Sequence, residues 1–127
     1  MIVINTFLHI SEEDISDLLD QLAGDVAGCV RFIRDFVRAW PTRFERLQLA
    51  VARRDPEGAV EVLLSIRTTA VMVGAAGIES EAAALHTAIK TTGELELFEL
   101  RRLELTAEAT LLELTALADD WIPQGTY

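Results

Sequence analysis

The sequence predicts an all-α fold, an up-and-down antiparallel helical bundle of four helices with an additional short helix at the N-terminus. Apolar residues recur at three- and four-residue spacing from Ile15 to Trp121, and no segment resembles a convincing strand. Capping residues and glycines divide this pattern into segments with short connections, which favour antiparallel neighbours. We therefore predict that residues 1–127 form a single helical domain.

The N-terminal part predicts two helices. Ser11 is a suitable cap for a short first helix, which Gly24 would end. Asp25 is a suitable cap for the second helix. Proline lacks an N–H group and disfavours a helical residue before it, so we expect Pro41 to break or kink this helix after Trp40.

The C-terminal part predicts three more helices. The Asp-Pro pair at 55–56 is a strong helix start, since aspartate caps and proline suits the first helical position. We expect this helix to run to Gly74 and the next one to end at Gly93. The last helix is predicted from about residue 94 to residue 121, with Pro123 as its end.

The net charge of −10 argues against a nucleic acid as the partner. Seven arginines nevertheless lie in one stretch of the chain. This basic region could steer an acidic protein surface towards it, or it could be a solvated helix face. Its members are Arg31, Arg34, Arg38, Arg43, Arg46, Arg53 and Arg54.

Cysteine content and hydropathy indicate a cytoplasmic protein. The single Cys29 excludes an intramolecular disulfide, and together with His9 and His86 it gives no spacing typical of a metal site. The apolar segment 1–10 is short, lacks a basic start and does not resemble a signal peptide. No segment approaches the ~20 apolar residues of a membrane span, so we expect no membrane partner.

From residue 14 to about residue 92, the order of these signals resembles a histidine phosphotransfer (HPt) domain. The family has an early helix, a Gly-Asp turn and a long helix with a central phenylalanine. A helix that ends near an aspartate comes next, followed by a helix carrying His-Ser-Leu-Lys-Gly and, further on, Gly-Ala and usually Leu-Glu. The corresponding residues here are Gly24-Asp25, Phe36, Arg54-Asp55, the run Leu64-Ser65-Ile66-Arg67-Thr68, Gly74-Ala75 and Leu85-His86.

The resemblance implies a four-helix bundle whose partners are receiver domains of two-component phosphorelays. It also implies that Leu64 occupies the position of the phosphoacceptor histidine, where it offers no nucleophile. Arg67 keeps the positive charge of the family's lysine, whereas Thr68 replaces a glycine and should crowd the approach of a receiver. A degenerate family member is thereby implied, one that carries no phosphate at the usual position.

Helical geometry predicts an exposed apolar strip beside this position. At 100° per residue, Val60, Leu64 and Val71 fall on one side of their helix, away from its core stripe, with Arg67 at the margin. Together with Thr68 they are the predicted partner-binding residues, because contiguous exposed apolar surface usually marks a contact. Alternatively, the chain's own N-terminal segment or last helix covers the strip.

His86 is the remaining candidate for phosphate chemistry. It lies about as far after the turn near Gly74 as Leu64 lies before it, so the two residues should be at similar height on adjacent helices. A displaced phosphoacceptor is therefore one interpretation. A structural histidine at the core boundary is the other, and His9 has a weaker claim still.

Three functions remain open. The first is an HPt-like module that binds receivers or other signalling proteins without carrying phosphate, the second is phosphotransfer through His86, and the third is a structural bundle that self-associates through the strip, as a homodimer for example. No glycine-rich phosphate loop or activated nucleophile indicates a metabolic enzyme, and no cofactor is expected.

Overall fold

The computed structural model describes residues 8–125, and the regular secondary structure of that part is entirely helical. Five α-helices follow one another, with a single 3-10 turn, Leu97–Leu100, before the last. They are α1 (Glu12–Gln21), α2 (Val26–Ala52), α3 (Pro56–Met72), α4 (Ala76–Thr92) and α5 (Arg101–Gly125).

The four long helices surround one hydrophobic core. Helix α2 packs against α3 and α5, and α4 packs against the same two helices, whereas α1 makes smaller contacts with α2 and α3. The core-facing apolar residues of α3 are all buried, and so are those of α4. They are Ala59, Leu63, Ile66, Ala70 and Val73 in the first case and Ile78, Ala82, Leu85 and Ile89 in the second.

The predicted N-caps are confirmed. The Ser11 side chain accepts a hydrogen bond from the Asp14 N–H group at the start of α1. Asp25 and Asp55 accept in the same way from backbone N–H groups three residues further on, each at 3.0 Å. Each bond satisfies one of the backbone donors that a helix start leaves without an intrahelical partner.

The predicted break at Pro41 is wrong. Helix α2 runs without interruption from residue 26 to residue 52, and Pro41 lies exposed on its surface. The rings of Trp40 and Phe44, one residue before and three residues after Pro41, are buried in the core and stack 5.7 Å apart. Burying two such side chains contributes roughly 1.5–3 kcal/mol each, which offsets the cost of about 3 kcal/mol for an internal proline.

The last helix also differs from its prediction at both ends. Residues 94–96 are not helical, and α5 begins only at residue 101, after the 3-10 turn. Leu95 and Leu100 are buried, so the connecting segment is fixed to the core while it crosses from α4 to α5. At the other end α5 continues to Gly125, so Pro123 does not end it.

The N-terminal segment lies over the α3–α4 turn. The Ser11 N–H group donates to the Gly74 carbonyl at 2.8 Å, and the Gly77 N–H group donates to the His9 carbonyl at 3.0 Å. His9 is held in turn by α5, because Glu113 accepts its backbone N–H group and contacts its ring. The signal-peptide prediction concerns a segment of which residues 1–7 lie outside the described part.

None of the helices between residues 8 and 125 combines the length and the apolar character that crossing a membrane requires.

Candidate functional site

The outer face of α3 carries the predicted partner-binding residues. The exposed fraction is 45% for Leu64 and 48% for Val71, and Thr68 between them is exposed as well. Val60, one turn before Leu64, is half-buried and packs against the core. Within the described residues the N-terminal segment covers the α3–α4 turn and leaves Leu64 and Val71 accessible.

Arg67 does not extend freely from this face. Its guanidinium turns towards α4, where Nε and Nη2 each donate to Glu79 Oε1 at 3.3 Å and Nη1 donates to His86 Nδ1 at 3.1 Å. The side chains of Arg67 and Glu79 are 35% and 28% exposed. The predicted cation and the predicted alternative histidine therefore meet in one half-buried cluster between two helices.

This contact determines which ring nitrogen of His86 carries the proton. A guanidinium has only donors, so Nδ1 must accept and the proton of the neutral ring must lie on Nε2. A nucleophilic nitrogen needs an available electron pair, and the Nδ1 pair is engaged while Nε2 is protonated. His86 in this arrangement is a structural hydrogen-bond acceptor, and it becomes a nucleophile only after the contact with Arg67 is broken.

The two threonine hydroxyl groups of α3 are used within the protein. Thr68 Oγ1 donates to the Leu64 carbonyl at 2.9 Å, and Thr69 Oγ1 donates to the Ser65 carbonyl at 2.8 Å. Thr69 Oγ1 also accepts a bond from Arg43 Nη1 of α2. With its hydroxyl turned to the backbone, Thr68 contributes its methyl group to the face between Leu64 and Val71.

Most arginines of the basic region have acidic partners inside the chain. Arg46 and Arg53 are exposed and make no ion pair within residues 8–125. The basic charge left for steering a partner is therefore reduced and lies in the C-terminal half of α2 and at the residue that follows this helix. The pairs are Arg31 with Asp25, Arg34 with Asp119, Arg38 with Asp35, and Arg54 with Glu94 and Glu96.

The single thiol is not available for chemistry. Cys29 is buried in the core, and burial, together with the nearby Asp25 carboxylate, raises the pKa of its thiol to about 11. Among the described residues no group of three His, Cys, Asp or Glu side chains is placed to hold a metal ion.

Sequence reasoning missed Glu79. Glu79 and His86 are seven residues apart, so they share one side of α4, and a short turn brings that side against the middle of α3, where Arg67 lies. The similar distances of Arg67 and of Glu79 from the turn were the available signal.

No family model matches this sequence, and neither the curated proteins nor the solved structures include a match.

Proposed function

We propose that this protein is an HPt-like signalling module, an up-and-down four-helix bundle with an extra N-terminal helix, that binds a receiver domain or another signalling protein in the cytoplasm without carrying phosphate. The binding surface is the outer face of α3, formed by Val60, Leu64, Arg67, Thr68 and Val71. The observation that carries the proposal is the accessible Leu64 at the position that corresponds to the phosphoacceptor.

Two features of the α3 face support the binding of a protein partner rather than phosphoryl transfer. Leu64, the Thr68 methyl group and Val71 form neighbouring apolar surface along nearly two turns of helix, and such contiguous surface usually marks a contact. The polar groups that could handle a phosphoryl group are engaged with one another, since Arg67 is bonded to Glu79 and His86.

The experiment is a binding assay with a panel of purified receiver domains, phosphorylated with labelled phosphate. We expect at least one receiver to bind the wild type without transferring label. The Leu64→Ser variant should bind it at least tenfold more weakly, because it removes the central apolar side chain of the contact. Leu49→Ser, which alters a similarly exposed leucine on α2, is the matched control and should bind as the wild type does.

Three outcomes contradict the proposal. Acid-labile label on the protein that disappears in His86→Ala would make it an active carrier with a displaced histidine. Equal binding by Leu64→Ser and the wild type would exclude the α3 face as the docking surface. If no receiver binds, the proposal fails for this class of partner.

A further inference from the structure

A second exposed apolar surface runs along the outer side of α5. Leu105 is 47% exposed and Leu112 is 74% exposed, while Ala109 is half-buried and Ala116 is exposed. These four residues, the α5 stripe, follow one another at alternating intervals of four and three residues. That alternation is the spacing of a helix-pairing seam, in which apolar side chains stay on one line along the helix.

The stripe alternates large and small side chains. A second helix that runs antiparallel places Leu105 opposite Ala116 and Ala109 opposite Leu112, and the same two pairs recur on the other side of the two-fold axis. Each leucine then meets an alanine, which allows the helices to approach closely. A surface that complements itself in this way is what a symmetric dimer requires.

The charges at the two ends of α5 agree with that arrangement. Arg101 and Arg102 begin the helix, and Asp119 and Asp120 lie near its end. Both pairs oppose the helix macrodipole, which favours acidic residues at the start and basic ones at the end. In an antiparallel pair, the arginines of one helix face the aspartates of the other, over a contact about 27 Å long.

These end charges remain accessible in the single chain. The side chains of Arg102 and Asp119 are 83% and 64% exposed although each has a partner within the chain. Asp120 is exposed and has no ion pair within residues 8–125. A parallel arrangement would place like charges together at both ends, so the charge pattern selects the antiparallel one.

We propose that the protein forms a two-fold symmetric homodimer through the α5 stripe, with the two α5 helices antiparallel. The inference is independent of the proposed binding of a receiver, because it concerns a different helix.

The experiment is sedimentation analysis of the full chain over a hundredfold range of concentration. We expect a reversible shift from the monomer mass of 14.0 kDa to twice that mass. Leu112→Asp, which places a charge in the centre of the stripe, should weaken dimerisation at least tenfold. Leu49→Ser, an exposed leucine on another helix, should have no effect, and circular dichroism should show that all variants are folded.

A charge exchange tests the direction of the helices. Arg101→Glu should weaken the dimer, and the double variant Arg101→Glu/Asp120→Arg should restore it, because residue 101 of one helix faces residue 120 of the other in this register and the two charges are then opposite again. A parallel dimer would not be restored. A monomer at every concentration, a dimer insensitive to Leu112→Asp, a failure of the double variant, or a dimer dissolved by Leu64→Ser instead would overturn the proposal.

Discussion

Replacing Gly74 by alanine tests how tightly the N-terminal segment closes the α3–α4 turn. Gly74 has φ of +73°, and an added Cβ would lie 2.6 Å from Ile15 Cγ1 and 3.0 Å from the Ser11 carbonyl oxygen. The left-handed backbone costs an alanine about 1–2 kcal/mol. Ile15 is only 1% exposed and cannot turn into solvent, so overpacking adds about 1–3 kcal/mol.

Gly93 provides the matched control. Its φ is +84°, and nothing lies within 4 Å of the position that a Cβ would occupy. We therefore expect Gly93→Ala to lower the free energy of unfolding by about 1–2 kcal/mol and Gly74→Ala to lower it by about 2–5 kcal/mol. Urea denaturation at 25 °C measures both values on the same chain.

A double-mutant cycle shows whether the contact with Ile15 is the cause. Ile15→Ala removes the atom nearest to the added Cβ. The free energy of unfolding that this substitution costs should therefore be smaller in the Gly74→Ala background than in the wild type, by a coupling energy of about 1 kcal/mol or more. If the two glycine variants lose equal amounts of unfolding free energy, or if the losses in the cycle are additive, then Ile15 and the segment before it do not press on this turn.

Three further predictions concern the site and the core. Leu63→Ala should lower the free energy of unfolding by about 2–5 kcal/mol and Leu64→Ala by less than about 1 kcal/mol, since the first is fully buried and the second is exposed; thermal or urea denaturation compares them. A cycle of Arg67→Gln and Glu79→Gln should give a coupling of about 0.5–1 kcal/mol that falls in 1 M salt, as expected for a half-buried ion pair near the surface. Burial raises the pKa of the Cys29 thiol from its usual 9.0 to about 11, so Cys29 should react with a disulfide reagent at pH 8 only in urea. The thiol ionises at a lower pH in the unfolded chain than in the folded one, so its contribution to the free energy of unfolding should be lost as pH rises from 9 to 11.

The sequence predicts the helical class and the core faces well because both depend on local signals. Side-chain caps at Asp25 and Asp55 and the spacing of apolar residues act within one or two turns. Pro41 was misjudged because its cost is local, whereas the gain that outweighs it comes from the aromatic rings that α2 packs into the core. The late start of α5 was missed because it depends on how the segment between α4 and α5 packs against α2 and α5, where Leu95 and Leu100 are buried.

In the candidate site, too, the sequence predicts the features that depend on one helix and misses those that depend on contacts between helices. The outward direction of Leu64 follows from periodicity within α3, and the structure agrees. The engagement of Arg67 by Glu79 and His86 depends on the alignment of α3 with α4, which no pattern within either helix determines. Periodicity within one helix therefore predicts the exposure of Leu64 but not the hydrogen bonds that hold Arg67 beside it.

The two proposed surfaces are far enough apart to act separately. Helices α2 and α4 each pack against both α3 and α5, so they lie between the α3 face and the α5 stripe. A dimer through α5 would carry two α3 faces on its outer sides, and two linked sites raise apparent affinity for a dense or dimeric partner without any new contact. Leu112→Asp should then weaken capture by densely immobilised receiver but leave the affinity for monomeric receiver in solution unchanged, whereas Leu64→Ser should reduce both. If both variants lose the same affinity for monomeric receiver in solution, then α3 and α5 contribute to a single binding surface.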